Sequence, residues 1–129
     1  MNIRQAAEAS GLTVKTVRYY DDIGMVRAAR RDNGYRDYGD DDVHKLSFLQ
    51  RARGLGFSIE DCRQLLSLYE DEHRVSADVK ALTLAHIEQI DRKLAELQSL
   101  RQTLSRLAEA CKGDNRPDCP ILADLAGEH

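Results

Sequence analysis

Cysteine occurs only three times in these 129 residues, too few for a disulfide framework. A reducing compartment is expected, with the thiols left for metal or redox chemistry. No apolar run approaches the ~20 residues of a membrane span. The opening Met-Asn-Ile-Arg-Gln-Ala-Ala lacks the apolar stretch of a secretory signal, so the chain is expected to be cytoplasmic, with no membrane partner. There is no nucleophile elbow, phosphate-binding glycine loop or paired-carboxylate pattern, which argues against an enzyme. Internal repeats and low-complexity segments are also missing. With 42% hydrophobic and 32% charged residues, the composition is that of a folded, soluble protein.

The net charge of −3 excludes a uniformly basic nucleic-acid binder. It conceals an asymmetry, because residues 1–55 carry ten Lys/Arg against eight Asp/Glu, while residues 56–129 carry nine against fourteen. A local basic face on the first half therefore remains open. Four of the seven aromatics, Tyr19, Tyr20, Tyr35 and Tyr38, fall within the first 38 residues, near Arg18 and Arg36.

Ile3, Ala6 and Ala7 have helical spacing up to Ser10-Gly11. Thr13 then reads as the N-cap of a second helix, Val14 to about Ile23, closed by Gly24. Two short helices around a glycine turn form a helix-turn-helix pattern. Asn33-Gly34 suits both positive-φ positions of a type I′ turn, which predicts a small hairpin, or wing, with Tyr35 and Tyr38 on its return limb. A third helix is expected from Asp40 to about Arg53, with Val43, Leu46 and Leu49 as its buried stripe. Ser58 and Asp61 resemble a capping box opening a fourth helix to about Tyr69, with Ile59, Cys62, Leu66 and Tyr69 facing inward.

Ser76 reads as the N-cap of a long helix reaching Ala110, with Asp78 in its first turn. From Thr83, the positions Ile87, Ile90, Leu94, Leu97, Arg101, Leu104 and Ala108 alternate steps of four and three. That is a heptad seam with polar residues at Thr83 and Arg101. A helix of roughly 50 Å cannot bury such a stripe on so small a domain. It either folds back as a hairpin, which no internal break supports, or pairs with a second chain. Dimerisation is the stronger expectation.

Cys111 and Cys119 flank a seven-residue segment containing Gly113 and Pro117, able to fold back and bring both sulfurs to one ion. Pro120 suits a first helical position, which places Cys119 at a helix N-terminus where a thiolate is favoured. Two thiolates without a nearby histidine suit a soft ion taking two ligands, above all Cu(I), whereas structural Zn(II) wants four. The alternatives are a redox-labile pair or two unrelated small residues. Cys62 is expected in the core, and His44, His73, His86 and His129 at the surface or at helix ends. Lys15 and Arg18, three apart on one helix face, could reach phosphates or base edges together, with Tyr35 and Arg36 beyond the hairpin turn.

Several motifs together resemble the MerR family of bacterial transcription regulators. They are Gly11-Leu12-Thr13, Thr16-Val17-Arg18-Tyr19-Tyr20, Asn33-Gly34-Tyr35-Arg36-Asp37-Tyr38 and Arg51-Ala52-Arg53-Gly54-Leu55-Gly56-Phe57. Ser76-Ala77-Asp78-Val79-Lys80, Leu97-Gln98-Ser99-Leu100-Arg101 and Cys111-x7-Cys119-Pro120-Ile121 are similar to its copper-sensing branch. The resemblance implies a mainly α fold with three parts. These are a winged helix-turn-helix DNA-binding domain over residues 1–70, a dimerisation helix forming an antiparallel coiled coil over 71–110, and a metal-binding loop with a short helix over 111–129. It implies DNA-backbone contacts by Lys15, Arg18, Tyr20, Tyr35, Arg36 and Arg53, and ligation of Cu(I), Ag(I) or Au(I) by Cys111 and Cys119, one ion per protomer. In divalent-sensing relatives a cysteine stands at the position of Ser76, reaching across the dimer; serine leaves two thiolates and a place beside the ion. The implied partners are double-stranded promoter DNA, a second copy and RNA polymerase. The implied output is activation of copper efflux or detoxification genes, with a divalent-metal sensor or a thiol-redox regulator as alternatives.

Overall fold

The computed structural model describes residues 1–114 and 116–127. In chain order it contains α1 (Ile3–Ser10), α2 (Val14–Asp22), β1 (Ala29–Arg30), β2 (Arg36–Asp37), α3 (Asp40–Gly54), α4 (Ile59–Glu70), α5 (Ser76–Ala110) and α6 (Pro120–Leu125). Two compact units result, Met1–Leu82 and Thr83–His129. The division falls inside α5 because Leu82 still packs against the core of the first unit.

Local chemistry accounts for the helix ends. The Asn2 side chain accepts from the Gln5 amide while the Gln5 side chain accepts from the Asn2 amide, each at 2.9 Å, so two otherwise unpaired donors are satisfied at the start of α1. Gly11 ends α1 at φ 74°, a left-handed conformation open to glycine at little cost. Thr13 Oγ1 accepts from the Thr16 amide at 3.1 Å, and Ser58 Oγ from the Asp61 amide at 3.0 Å. Ser76 departs from expectation: it is the first residue of α5, and the Val75 carbonyl accepts from the Asp78 amide. The turn lies one residue earlier than the serine suggested.

In the first unit α1 packs on α2 and α3, and α3 on α4. Val17, Leu46, Leu49 and Cys62 are fully buried between them, with Tyr20 and Tyr38 closing the core beside the wing. Each such aliphatic side chain contributes roughly 1.5–3 kcal/mol of burial. Cys62 is thus a core residue as expected, and burial pushes its thiol above the usual value. Tyr69 is instead half exposed, its ring against Phe48 and His44.

The wing is present, but its turn is not type I′. Gly34 has φ 84° and Asn33 does not share a positive φ. The Gly34 amide donates to the Arg31 carbonyl at 2.8 Å and the Arg31 amide to the Tyr35 carbonyl at 2.9 Å. That pattern is a three-residue loop with glycine alone in the left-handed position. Asn33 contributes its side chain instead, accepting from the Tyr35 amide at 3.1 Å.

Candidate DNA interface and thiolate pair

Asp21, at the end of α2, anchors the wing. Its Oδ2 accepts from Arg30 Nη2 on β1 at 2.9 Å and from Arg36 Nε on β2 at 2.5 Å. The Asp21 side chain is only 6% exposed, so its charge is answered almost entirely within the protein. Asp22, on the surface, reaches Arg36 Nη2 at 3.5 Å. The hydrogen bond to Asp21 is the largest influence raising the Arg36 pKa. The two strands, each of two residues, are thereby tied to the end of α2.

A cleft of about 450 Å³ opens between α2, the wing and the start of α1, lined in part by Arg18, Arg31, Tyr35 and Arg36. Lys15 and Arg18 are exposed on α2, and Tyr35 is 72% exposed at the wing tip. Arg53, at the end of α3, donates through Nη1 to the Phe57 carbonyl at 2.6 Å, which holds its guanidinium beside the α3–α4 turn.

Tyr20 and Arg36 are the least exposed of the expected DNA contacts. Tyr20 is 2% exposed; its ring fills the core and desolvation raises its pKa. Tyr19, the next residue, presents its ring to solvent instead. Arg36 lines the cleft as well, while its Nε is held by Asp21. Arg31, which sequence reasoning passed over, lines the cleft. Its position opposite Tyr35 in the hairpin was the available signal.

In the second unit, α5 ends at Ala110, Cys111 follows it, and Cys119 stands immediately before α6. The two sulfurs are 3.9 Å apart, both partly exposed. That separation is less than twice a metal–thiolate bond of ~2.3 Å, so both can reach one ion. Cys119 occupies the N-cap position without a formed capping hydrogen bond. The backbone amide of Leu122 is nevertheless the largest influence on it and lowers the thiol pKa; partial desolvation opposes this, and the Ile121 amide and the Cys111 thiol add to it. Favouring the thiolate makes protons weaker competitors for the sulfur, so ligand capacity persists to lower pH. Iodoacetamide should therefore alkylate Cys119 of the reduced, metal-free protein with a midpoint pH below that of the same cysteine in the urea-unfolded chain. Coincident midpoints would refute the helix-terminus effect.

Among the described residues, no group of three or more His, Cys, Asp or Glu is placed to hold a metal ion. His44 pairs with the Tyr69 hydroxyl at 3.1 Å. His86 is buried, contrary to the expectation of a surface position, and His129 lies outside the described residues. Ile87, Leu94, Leu97 and Leu104 of the α5 seam are all exposed in the single chain, the exposure a seam for a partner helix requires. No described helix is long and apolar enough to cross a membrane.

Residues 1–69 match the family model described as MerR HTH family regulatory protein, and residues 43–107 match that described as MerR, DNA binding. The chain belongs to the MerR family. It is 60% identical to the HTH-type transcriptional regulator HmrR of Rhizobium leguminosarum bv. viciae, covering 98% of both chains. It is 44% identical to the HTH-type transcriptional regulator CueR of Salmonella typhimurium, covering 98% of this chain and 93% of that one. The structure resembles the transcription regulator PbrR691 from Ralstonia metallidurans CH34 in complex with lead(II), with a TM-score of 0.83 and 31% identity over 97% of this chain and 98% of that one. MerR regulators bind promoter DNA as homodimers and contact RNA polymerase, and they are not enzymes. As a MerR-family, metal-responsive transcription regulator, this chain has promoter DNA, a second copy and RNA polymerase as its partners.

Proposed function

We propose that this MerR-family protein is a cytoplasmic, Cu(I)-responsive activator of copper efflux or detoxification genes. The observation that carries the reading is the pair of partly exposed thiols 3.9 Å apart, one at the N-terminus of α6. Two soft donors suit a monovalent soft ion, with Ag(I) and Au(I) in the same class. Ser76 stands where a further thiol would serve a divalent ion, and it shapes the pocket beside the ion in the dimer. Both the metal-free and metal-bound dimers hold the promoter. Metal binding changes how strongly the DNA is bent and untwisted, so the switch acts through deformation energy rather than release.

The contacts proposed for DNA are Lys15 and Arg18 on α2, Tyr35 on the wing and Arg53 after α3, with Arg36 setting the wing. Arg18→Ala should weaken operator and non-specific binding alike and reduce the slope of log K against log salt by about 1, the signature of one lost phosphate contact. Fluorescence anisotropy at several salt concentrations checks this. An unchanged slope removes Arg18 from the phosphate contacts.

The copper reading is tested by anaerobic titration of the reduced protein with Cu(I) and Zn(II) under matched chelator competition, followed by transcription from the bound promoter. One Cu(I) per protomer, bound much more tightly than Zn(II) and switching transcription on, is expected. The likeness to the lead(II)-bound regulator favours a second reading, a sensor of a divalent metal. Equal or tighter Zn(II) binding would replace the first reading with the second, and activation by oxidant without metal would replace both with a thiol-redox switch.

A further inference from the structure

The α5 seam carries a charge in the middle of its apolar groove. In heptad terms Ile87, Leu94 and Arg101 occupy a positions and Ile90 and Leu97 occupy d positions. Arg101 lines the groove together with Leu97, Leu100, Leu104 and Ala108. Its own helix offers it no acid, since the residues three and four away are Leu97, Gln98, Leu104 and Ser105. Asp91, at an e position beside the seam, has no base at those distances either. Both are exposed, and neither forms an ion pair among the described residues.

A second copy can lie along this seam in two directions. Parallel and in register, Arg101 would meet Arg101 inside an apolar groove, where like charges repel and desolvation adds to the cost. Turned about the midpoint of the seam, between Leu94 and Leu97, the copies instead pair Leu94 with Leu97 and Ile87 with Leu104. Arg101 then falls opposite Ile90, with Asp91 the next residue along the flank. We propose that Arg101 and Asp91 set the direction of pairing, Arg101 of each chain meeting Asp91 of a second, antiparallel copy. The family resemblance implies that direction without saying which residues of this chain select it. The proposal rests on the homodimer and adds the residues that orient it.

Charge reversal separates the alternatives, because Arg101 and Asp91 are too far apart on one helix to meet within a chain. Full-length reduced, metal-free protein would be studied as wild type, Arg101→Glu, Asp91→Arg and the double variant by sedimentation equilibrium, with far-UV circular dichroism to register folding. Each single variant is expected to raise the dimer dissociation constant about tenfold, and the double variant to return it to near the wild-type value. Singles that dimerise like wild type would overturn the proposal, since a parallel pairing only exchanges one like-charge contact for another. Weakened singles without recovery in the double variant would overturn the Arg101–Asp91 pairing. A wild-type chain that sediments as a monomer would remove the homodimer itself, a failure visible before any variant is compared.

Discussion

Exchanging either Cys111 or Cys119 for serine should abolish stoichiometric Cu(I) uptake while leaving promoter binding intact. A serine hydroxyl is a hard, protonated donor at neutral pH, whereas the soft ion selects thiolate. Removing a direct ligand should exceed the ~10–100-fold loss that follows removal of an outer-shell partner. The substitution at 119 is informative because serine is itself a favourable N-cap, so α6 keeps its start while the sulfur goes. At 111 the side chain lies just beyond the end of α5 and is only partly buried. Neither change should alter unfolding stability by more than about 0.5 kcal/mol. Chelator-competition titrations give the affinity, and anisotropy with the operator gives DNA binding. Stoichiometric Cu(I) retained in both variants would dismiss this pair as the site.

The other large effect belongs to Asp21. Asp21→Ala should destabilise the first unit by roughly 3 kcal/mol, the lower end of what removing one partner of a buried ion pair costs. The lower end applies because Arg30 is about half exposed and can turn to water, whereas Arg36, at 22% exposure, is more confined. The wing would lose its charged anchor to α2, and DNA affinity should fall with it. Asp22→Ala is the matched control: it sits next in sequence but is 62% exposed and 3.5 Å from Arg36, so it should change stability by no more than about 0.5 kcal/mol. Urea unfolding at one fixed protein concentration compares them, because dimerisation makes stability concentration-dependent. If Asp21→Ala and Asp22→Ala unfold alike, the anchor role is wrong.

Features set by a few adjacent residues were legible in the sequence. Thr13 and Ser58 cap their helices with their own hydroxyls, and Gly11 takes the left-handed exit, so each end is decided within three or four residues. The start of α6 was readable for the same reason, since Pro120 marks the first helical position and puts Cys119 just before it. Asn33-Gly34 was legible as a turn but not as a turn type. Glycine serves the left-handed position in both the two-residue and three-residue loops, and strand pairing chooses between them. The burial of Tyr20, which the family resemblance implied as a DNA contact, was legible in the helical period, since it follows buried Val17 by three. The Asp21 anchor was half legible, since its place four residues after Val17 puts it on the buried face of α2. Its partners were not legible, because they are arginines nine and fifteen residues away.

One carboxylate oxygen shared by two arginines also constrains how this gene can drift. A codon change at position 21 that removes the charge strands guanidinium groups on both strands of the wing, while losing Arg36 leaves a buried carboxylate with a half-exposed partner. Positions 21, 30 and 36 therefore cannot wander independently. In descendants of this chain, substitutions there should be inherited in sets that keep one acid matched by at least one base, whereas Asp22 should vary freely beside them.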